Sequence, residues 1–397
     1  MFDNGKTGQL TPISDTDPVR GEWSHAAFLP DPLPIESPEL SGSTYRSVAN
    51  ARAALAALDS TALQLPNPRL LRRPTLRYEA QSTSALEGTY EPLAKVLTAA
   101  DDPQEPRMRE VLNYETMAED AFEWVAQRRS LTVPMLCELQ MTLVRGTHLQ
   151  KPSSGHIRPV QVVIGRRPNI PEAEFPVKAA RFVPAPPGVD LQARLRDLLD
   201  WIATDRSNLI DPVVASAMVH YQFETLHPFH DGNGRIGRLL IVLQFYNTRT
   251  LSEPTLTVSP WFEARRSEYE DRLLGVSAKG DWDSWVAFFA NGIGESASAT
   301  RRQMIALVAV QASLKETIRQ SALRADTAHT LVDLAVSRLT FTVRQVEHNL
   351  GISYGRANKL VNSLVELGIL KELGEQAYNR RFYAPEVLRV LLHTENP

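Results

Sequence analysis

Twelve residues, His227-Pro-Phe-His-Asp-Gly-Asn-Gly-Arg-Ile-Gly-Arg238, hold the side chains best suited to chemistry in this 397-residue chain. His227 can take a proton near neutral pH, which makes it the candidate general base. Asp231 offers a hard oxygen suited to Mg2+ bridging phosphate oxygens. Gly232-Asn233-Gly234 disfavours a helix interior, and its backbone freedom lets successive N–H groups point into one concavity. That concavity opens onto a helix start, where the macrodipole favours anions. Arg235 and Arg238 stand three apart on that helix, so both guanidiniums are expected on one polyphosphate.

Two helices must position this loop. Upstream, Asp211-Pro212 reads as a cap followed by a first-turn proline, and Val214, Ala217, Met218, Tyr221 and Thr225 follow at helical spacing. Downstream, Ile236, Leu239, Leu240, Leu243 and Tyr246 repeat the pattern.

At every specified position the twelve residues resemble the signature of the Fic family, His-x-Phe-x-Asp/Glu-Gly-Asn-Gly-Arg-x-x-Arg. The resemblance spans roughly residues 30–300. It implies a mainly α fold, a helical core with a short β-hairpin flap. It also implies transfer of AMP from ATP to a Ser, Thr or Tyr hydroxyl of a target protein, itself included, with diphosphate leaving. His227 would be the base and Asp231 the Mg2+ ligand. The ATP-binding stretch would run through Gly232, Asn233, Gly234, Arg235, Ile236, Gly237 and Arg238, with Arg238 on the γ-phosphate and Phe229 anchoring the loop. The intact Gly-Asn-Gly argues against the kinase-like branch of the superfamily.

Three further stretches carry looser likenesses. Thr83-Ser-Ala-Leu-Glu87-Gly88 resembles the family's inhibition motif, in which the glutamate takes the last arginine of the loop and displaces the γ-phosphate. A carboxylate and a phosphate compete for the same guanidinium fork. The run Val160 to Ile164, ended by Gly165, suggests a strand or hairpin and resembles the flap that pairs with a target's backbone. Tyr269 falls where the family often sets a ring against adenine, and core packing explains it nearly as well.

The rest of the chain is taken in order. Residues 1–45 are rich in Pro, Ser, Asp and Gly and are expected as an extended or partly disordered arm. LPNPRLLRRP should interrupt the helix that precedes it, because three prolines cannot sit inside one. RFVPAPPGVD reads as a rigid connector, the aromatics of residues 281–289 as core, and a helix from Ala297 to about Arg324 as a connector. From Thr342 a capped helix, Gly351, a second capped helix and a hairpin around Arg380-Arg381 resemble a small winged helix-turn-helix. Its outward Ser353, Arg356, Lys359, Arg380 and Arg381 make DNA a candidate partner. The domains expected are 1–102 (arm and inhibitory helix), 103–300 (catalytic core), 301–330 (connector) and 331–397 (winged helix).

A net charge of −3 advertises no nucleic acid globally, and 43% hydrophobic with 22% charged residues is ordinary for a soluble protein. The single cysteine, Cys137, excludes an internal disulfide and suits a reducing compartment. No stretch of about 18 apolar residues or signal-peptide core exists, so a cytoplasmic protein without a membrane partner is expected. Oligomeric state stays open, a homodimer included. So do two other functions: a nucleotide-sensing DNA-binding regulator, and removal of AMP or transfer of another phosphate-containing group.

Overall fold

The two ten-residue strands at the start, β1 (Gly8–Asp17) and β2 (Gly21–Pro30), pair antiparallel from Gly8 opposite Pro30 to Asp17 opposite Gly21. The computed structural model describes every residue except 1, 3–4, 66, 168–169, 171–174, 324–325, 375–379 and 394–397. The expected loose arm is thus largely a hairpin. Its turn is made by the Asp17 carboxylate, which accepts from the N–H groups of Val19 and Arg20 at 2.9 and 2.8 Å. Ala27 packs into a small apolar cluster with Val177, Ala180 and Val183, which gives the hairpin a surface to fold on.

Next come α1 (Gly42–Leu63), a 3-10 turn (Pro68–Leu71) and α2 (Arg72–Leu86). The break between the helices is where the prolines put it, although Pro66 lies outside the described residues. Pro74 does sit inside α2, in its first turn, where no intrahelical N–H bond is lost. Helices α3 (Leu93–Thr98), α4 (Pro106–Ala126) and α5 (Val133–Val144) follow, with α2 packed on α4.

A short two-stranded sheet joins β3 (Ile164–Arg166) to β4 (Ala180–Phe182), with α6 (Pro176–Ala179) leading into β4. The flap strand therefore starts where the valine run ends, and Arg181-Phe182 belong to it rather than to the connector. Val160 and Val162 find their partners elsewhere. Their carbonyls accept from the Arg158 guanidinium and the Gln161 amide, at 3.0 and 2.9 Å.

Then come α7 (Val189–Ala203), α8 (Pro212–Leu226) and α9 (Asn233–Asn247). The last two are apolar on nearly every side, as befits helices at the centre of the core. Helices α10 (Ser259–Ala264) and α11 (Arg266–Lys279) precede α12 (Trp282–Gln320). The aromatic segment and the connector are one continuous α12 of 39 residues, roughly 60 Å long at 1.5 Å per residue. Its length is held by α1 packed alongside and by Trp285, Phe289, Ile293 and Ala297 buried in one row.

The chain ends with α13 (Asp326–Arg338), β5 (Thr340–Thr342), α14 (Val343–Leu350), α15 (Tyr354–Glu366), β6 (Lys371–Leu373), β7 (Arg381–Tyr383) and α16 (Pro385–Leu392). The sheet order is β5-β7-β6, all antiparallel. Thr342 and Gln345 form a reciprocal capping box at the start of α14, and Gly351 ends it with φ 63°. The buried residues of this unit are continuous with the main core, and α13 packs on α2. One expected outward residue points in: Arg381 donates to the carbonyl of Ala99 at 2.8 Å and to Thr340 Oγ1. Arg380 pairs with Glu372 at 3.1 Å, while Arg356 and Lys359 are exposed. Among the described residues, no helix is long and apolar enough to cross a membrane.

Candidate active site

Asp211 caps α8 by accepting from Val213 N–H at 2.8 Å, and the helix runs to His227, which leaves it in the left-handed region (φ 50°, ψ 59°). Gly232 caps α9 with φ 88°, a conformation that a side chain would strain. Between them, Asn233 braces the loop on itself. Its Oδ1 accepts from Phe229 N–H and its Nδ2 donates to the Phe229 carbonyl, both at 2.9 Å. Phe229 is fully buried, so the loop is anchored in the core, and Gly234 in the first turn of α9 lines the cleft.

That cleft is a pocket of about 310 Å³. Its walls include Glu87 at the end of α2, Gly165 and Phe182 of the flap, Glu224 and His227 of α8, Gly234 and Arg238 of α9, and Tyr269 of α11. A larger cavity, about 590 Å³, lies at the ends of α4, α7 and α9 and holds none of these groups.

Arg238 is buried and fully engaged. Its NH2 donates to Glu87 Oε1 at 2.6 Å and to the Thr83 carbonyl at 3.1 Å, and its Nε to Thr83 Oγ1 at 2.8 Å. Gly88, with φ 92°, turns the chain away immediately afterwards. A Cβ on Gly234 would stand 2.0 Å from Glu87 Oε1, so the carboxylate lies directly on the glycine that opens α9. Burial alone would raise the Glu87 carboxyl, but Arg238, then Arg235 and His227, outweigh it and hold it below the usual range.

Arg235 does not share that pocket. Its guanidinium is fully buried and donates to Glu110 Oε1 and to Asp231 Oδ1, each at 3.0 Å. The two arginines expected on one polyphosphate thus have different partners here, Arg235 being held by Glu110 of α4 and Asp231 while Arg238 is held by Thr83 and Glu87. Asp231 keeps a third of its side chain exposed. Among the described residues no group of three or more His, Cys, Asp or Glu side chains forms a metal cage.

His227 is half-buried, with Nδ1 3.3 Å from the carbonyl of Glu224, which makes Nδ1 the protonated nitrogen and leaves Nε2 a lone pair. Burial, helped by Arg158 and opposed by Glu87, brings its pKa down to about 4, so the ring is neutral at pH 7. Tyr269 borders the pocket but is tied into the core. Its hydroxyl meets His220 Nε2 at 2.7 Å, and its ring stacks with His220 and tilts against Phe262. His220 Nδ1 in turn donates to the Gly237 carbonyl at 3.0 Å, and burial lowers its pKa to about 3.

Three groups escaped the sequence reading. Glu224 presses on Gly237, where a Cβ would be 2.2 Å away, and its buried Oε1 has no hydrogen-bond partner. Burial, opposed by Arg238 and reinforced by Glu87, pushes its pKa up to about 8. Arg158 and Glu110 reach the loop from other elements. Glu224 stands three residues before His227 on the same helix and could have been found from that spacing; the other two leave no local signal.

Residues 45–123 match the Fic/DOC family N-terminal region, and residues 130–245 match the Fic/DOC family. Among curated relatives, the protein adenylyltransferase fic-1 of Caenorhabditis elegans is 36% identical over 90 residues, 23% of this chain and 15% of that protein. The protein adenylyltransferase Fic of Drosophila grimshawi is 29% identical over 163 residues, 41% of this chain and 30% of that protein. The chain thus spans less than a third of either relative. Among solved structures, a Fic family protein from Desulfovibrio desulfuricans G20 is similar in fold. It has a TM-score of 0.54 at 22% identity, covering 88% of this chain and 98% of that one.

Proposed function

Because this chain is a Fic family protein, we propose that it transfers AMP from ATP to a protein hydroxyl and that Glu87 holds the activity down. The observation that carries the reading is the Glu87–Arg238 pair, 2.6 Å apart, seated over Gly234 in a pocket that also holds His227. With Glu87 withdrawn, Arg238 and the first amides of α9 become available to phosphate oxygens. A hydroxyl held at the flap edge then attacks the α-phosphorus. As the new O–P bond forms, its proton passes to Nε2 of His227, and the bond to diphosphate breaks, carrying the negative charge away.

Asp231 is a lone carboxylate beside the phosphate-binding loop. That donor set fits Mg2+, whose remaining positions are ordinarily filled by phosphate and water oxygens. When bound, the ion neutralises phosphate charge and orients the leaving diphosphate. Arg235 supports this arrangement by fixing the Asp231 carboxylate rather than by touching nucleotide.

Incubating the purified chain carrying Glu87→Gly, which releases the inhibition, with ATP labelled at the α- or the γ-phosphate tests the reading. Label from the α-position should appear on protein and label from the γ-position should not. Label from both positions, or from neither, contradicts it.

We read residues 331–397 as a winged helix-turn-helix. The exposed Arg356 and Lys359 on α15 support phosphate contact as a second role, while Arg381 is spent on the core.

A further inference from the structure

Arg158 is 1% exposed and pairs with no carboxylate among the described residues, yet every arm of its guanidinium is bound. Nε donates to the His227 carbonyl at 2.8 Å, NH1 to Val160 at 3.0 Å, and NH2 to Leu226 at 3.4 Å and to the carbonyl of Ala185. Its own N–H donates to the Pro228 carbonyl at 2.9 Å. A buried cation without a carboxylate is costly. Here the counter-charge is the row of carbonyls that ends α8, the negative pole of that helix.

These bonds join three places. Leu226, His227 and Pro228 form the turn by which His227 enters the left-handed region, which a residue of its kind adopts only under constraint. Val160 leads into β3 and Ala185 leads out of β4, so the same guanidinium holds both ends of the flap. We propose that Arg158 is a positioning residue for the transfer reaction: it locks the His227 turn so that the ring's Nε2 faces the pocket, and it fixes the flap against that turn. Its charge has a second effect. The charges that act on His227 are Arg158 from the flap side and Glu87 from α2; Glu224 of its own helix, Arg238 of α9, Arg181 of the flap and Arg266, Tyr269 and Glu270 of α11 line the same pocket. Of these, Arg158 presses His227 toward the neutral form that a base requires, against the pull of Glu87.

The inference rests on the AMP-transfer reading for its rate measurement alone. The test uses the full chain carrying Glu87→Gly as parent, with Arg158→Lys and Arg158→Met added separately. Arg158→Lys keeps the charge and loses the fan. Its kcat should fall roughly tenfold or more while its Kd for a non-hydrolysable ATP analogue stays within about twofold. Arg158→Met should lose at least as much, and the acid limb of its pH profile and the NMR titration of His227 should both move to higher pH. An unchanged kcat in either variant, or loss of kcat and nucleotide affinity in equal proportion, overturns the proposal.

If the parent transfers no AMP, the function falls and NMR decides the residue. A raised His227 titration in Arg158→Met but not in Arg158→Lys upholds the assignment, and no difference between them defeats it. Should Arg158→Met not fold, Arg158→Lys decides through the 15N shifts of His227. A lost Nδ1 bond to Glu224 supports positioning, and unchanged shifts refute it.

Discussion

His227 sits neutral in a site built from charges, and its rate dependence on pH follows from that. In the proposed reaction the base is the unprotonated ring, so with a pKa near 4 the rate should hold steady from pH 7 to about 5 and fall as pH drops through 4. Replacing His227 by Ala should remove transfer by at least about two orders of magnitude and leave ATP affinity nearly unchanged, since binding rests on amides and Arg238. Calorimetry beside a transfer assay checks both, and a parallel loss of affinity would contradict the assignment. Glu224 carries a stability signature of its own. Its carboxyl is raised from 4.5 to about 8 in the folded chain, so its contribution is complete below pH 4.5 and is lost as pH climbs toward 8. Glu224→Gln, which cannot ionise, should flatten that alkaline decline in unfolding temperature. A decline equal to that of the wild type would show that Glu224 is not its source.

Helix α2 is the element on which the proposed regulation turns, and it is pinned from several sides. Buried Glu79 accepts from the N–H groups of Val258 and Ser259 at 2.8 and 3.0 Å and from the Ser259 hydroxyl, capping the start of α10. Glu79→Ala strands those donors and should cost about 1–3 kcal/mol. It should also loosen the helix that delivers Glu87, so basal transfer should rise as stability falls. Urea unfolding with an automodification assay tests the pairing, and lower stability without added activity would separate α2 packing from inhibition. The helices around the loop were legible in the sequence because caps and apolar period are local signals, as Asp211-Pro212 and the Ile236 to Tyr246 stripe illustrate. The first strands were not, because the pairing of Gly8–Asp17 with Gly21–Pro30 depends on a remote cluster at Val177 and Val183. The strand shift at Val160 and the buried pairing of Arg235 have the same origin: long-range partners, Arg158 and Glu110, claimed groups whose neighbours in sequence gave no hint.

Across the whole molecule, the C-terminal unit meets α2 through the shared apolar core and through a set of polar contacts around Asp101. Asp101, in the loop after α3, pairs with Arg73, lies 3.5 Å from Arg77 on α2 and lies 3.7 Å from Arg338 at the end of α13, while Arg381 grips the Ala99 carbonyl. The C-terminal unit therefore leans on α2, the helix that carries Glu87 at its end. The exposed side of α15, with Arg356 and Lys359, offers a face for a partner. If that partner is duplex DNA, full-chain binding should weaken with salt, and replacing Arg356 and Lys359 together by Ala should reduce the log–log slope by about two. Absence of binding at low salt would remove DNA as the partner and leave docking as the better account.

The central claim is that Glu87 occupies the place a phosphate must take on Arg238. Automodification of the full chain with ATP and Mg2+, compared across wild type, Glu87→Gly and Glu87→Gly with Arg238→Ala, measures it most directly. The account predicts a gain of roughly tenfold or more in Glu87→Gly, cancelled in the double variant because the two residues act as a coupled pair. A Glu87→Gly rate equal to wild type would contradict it.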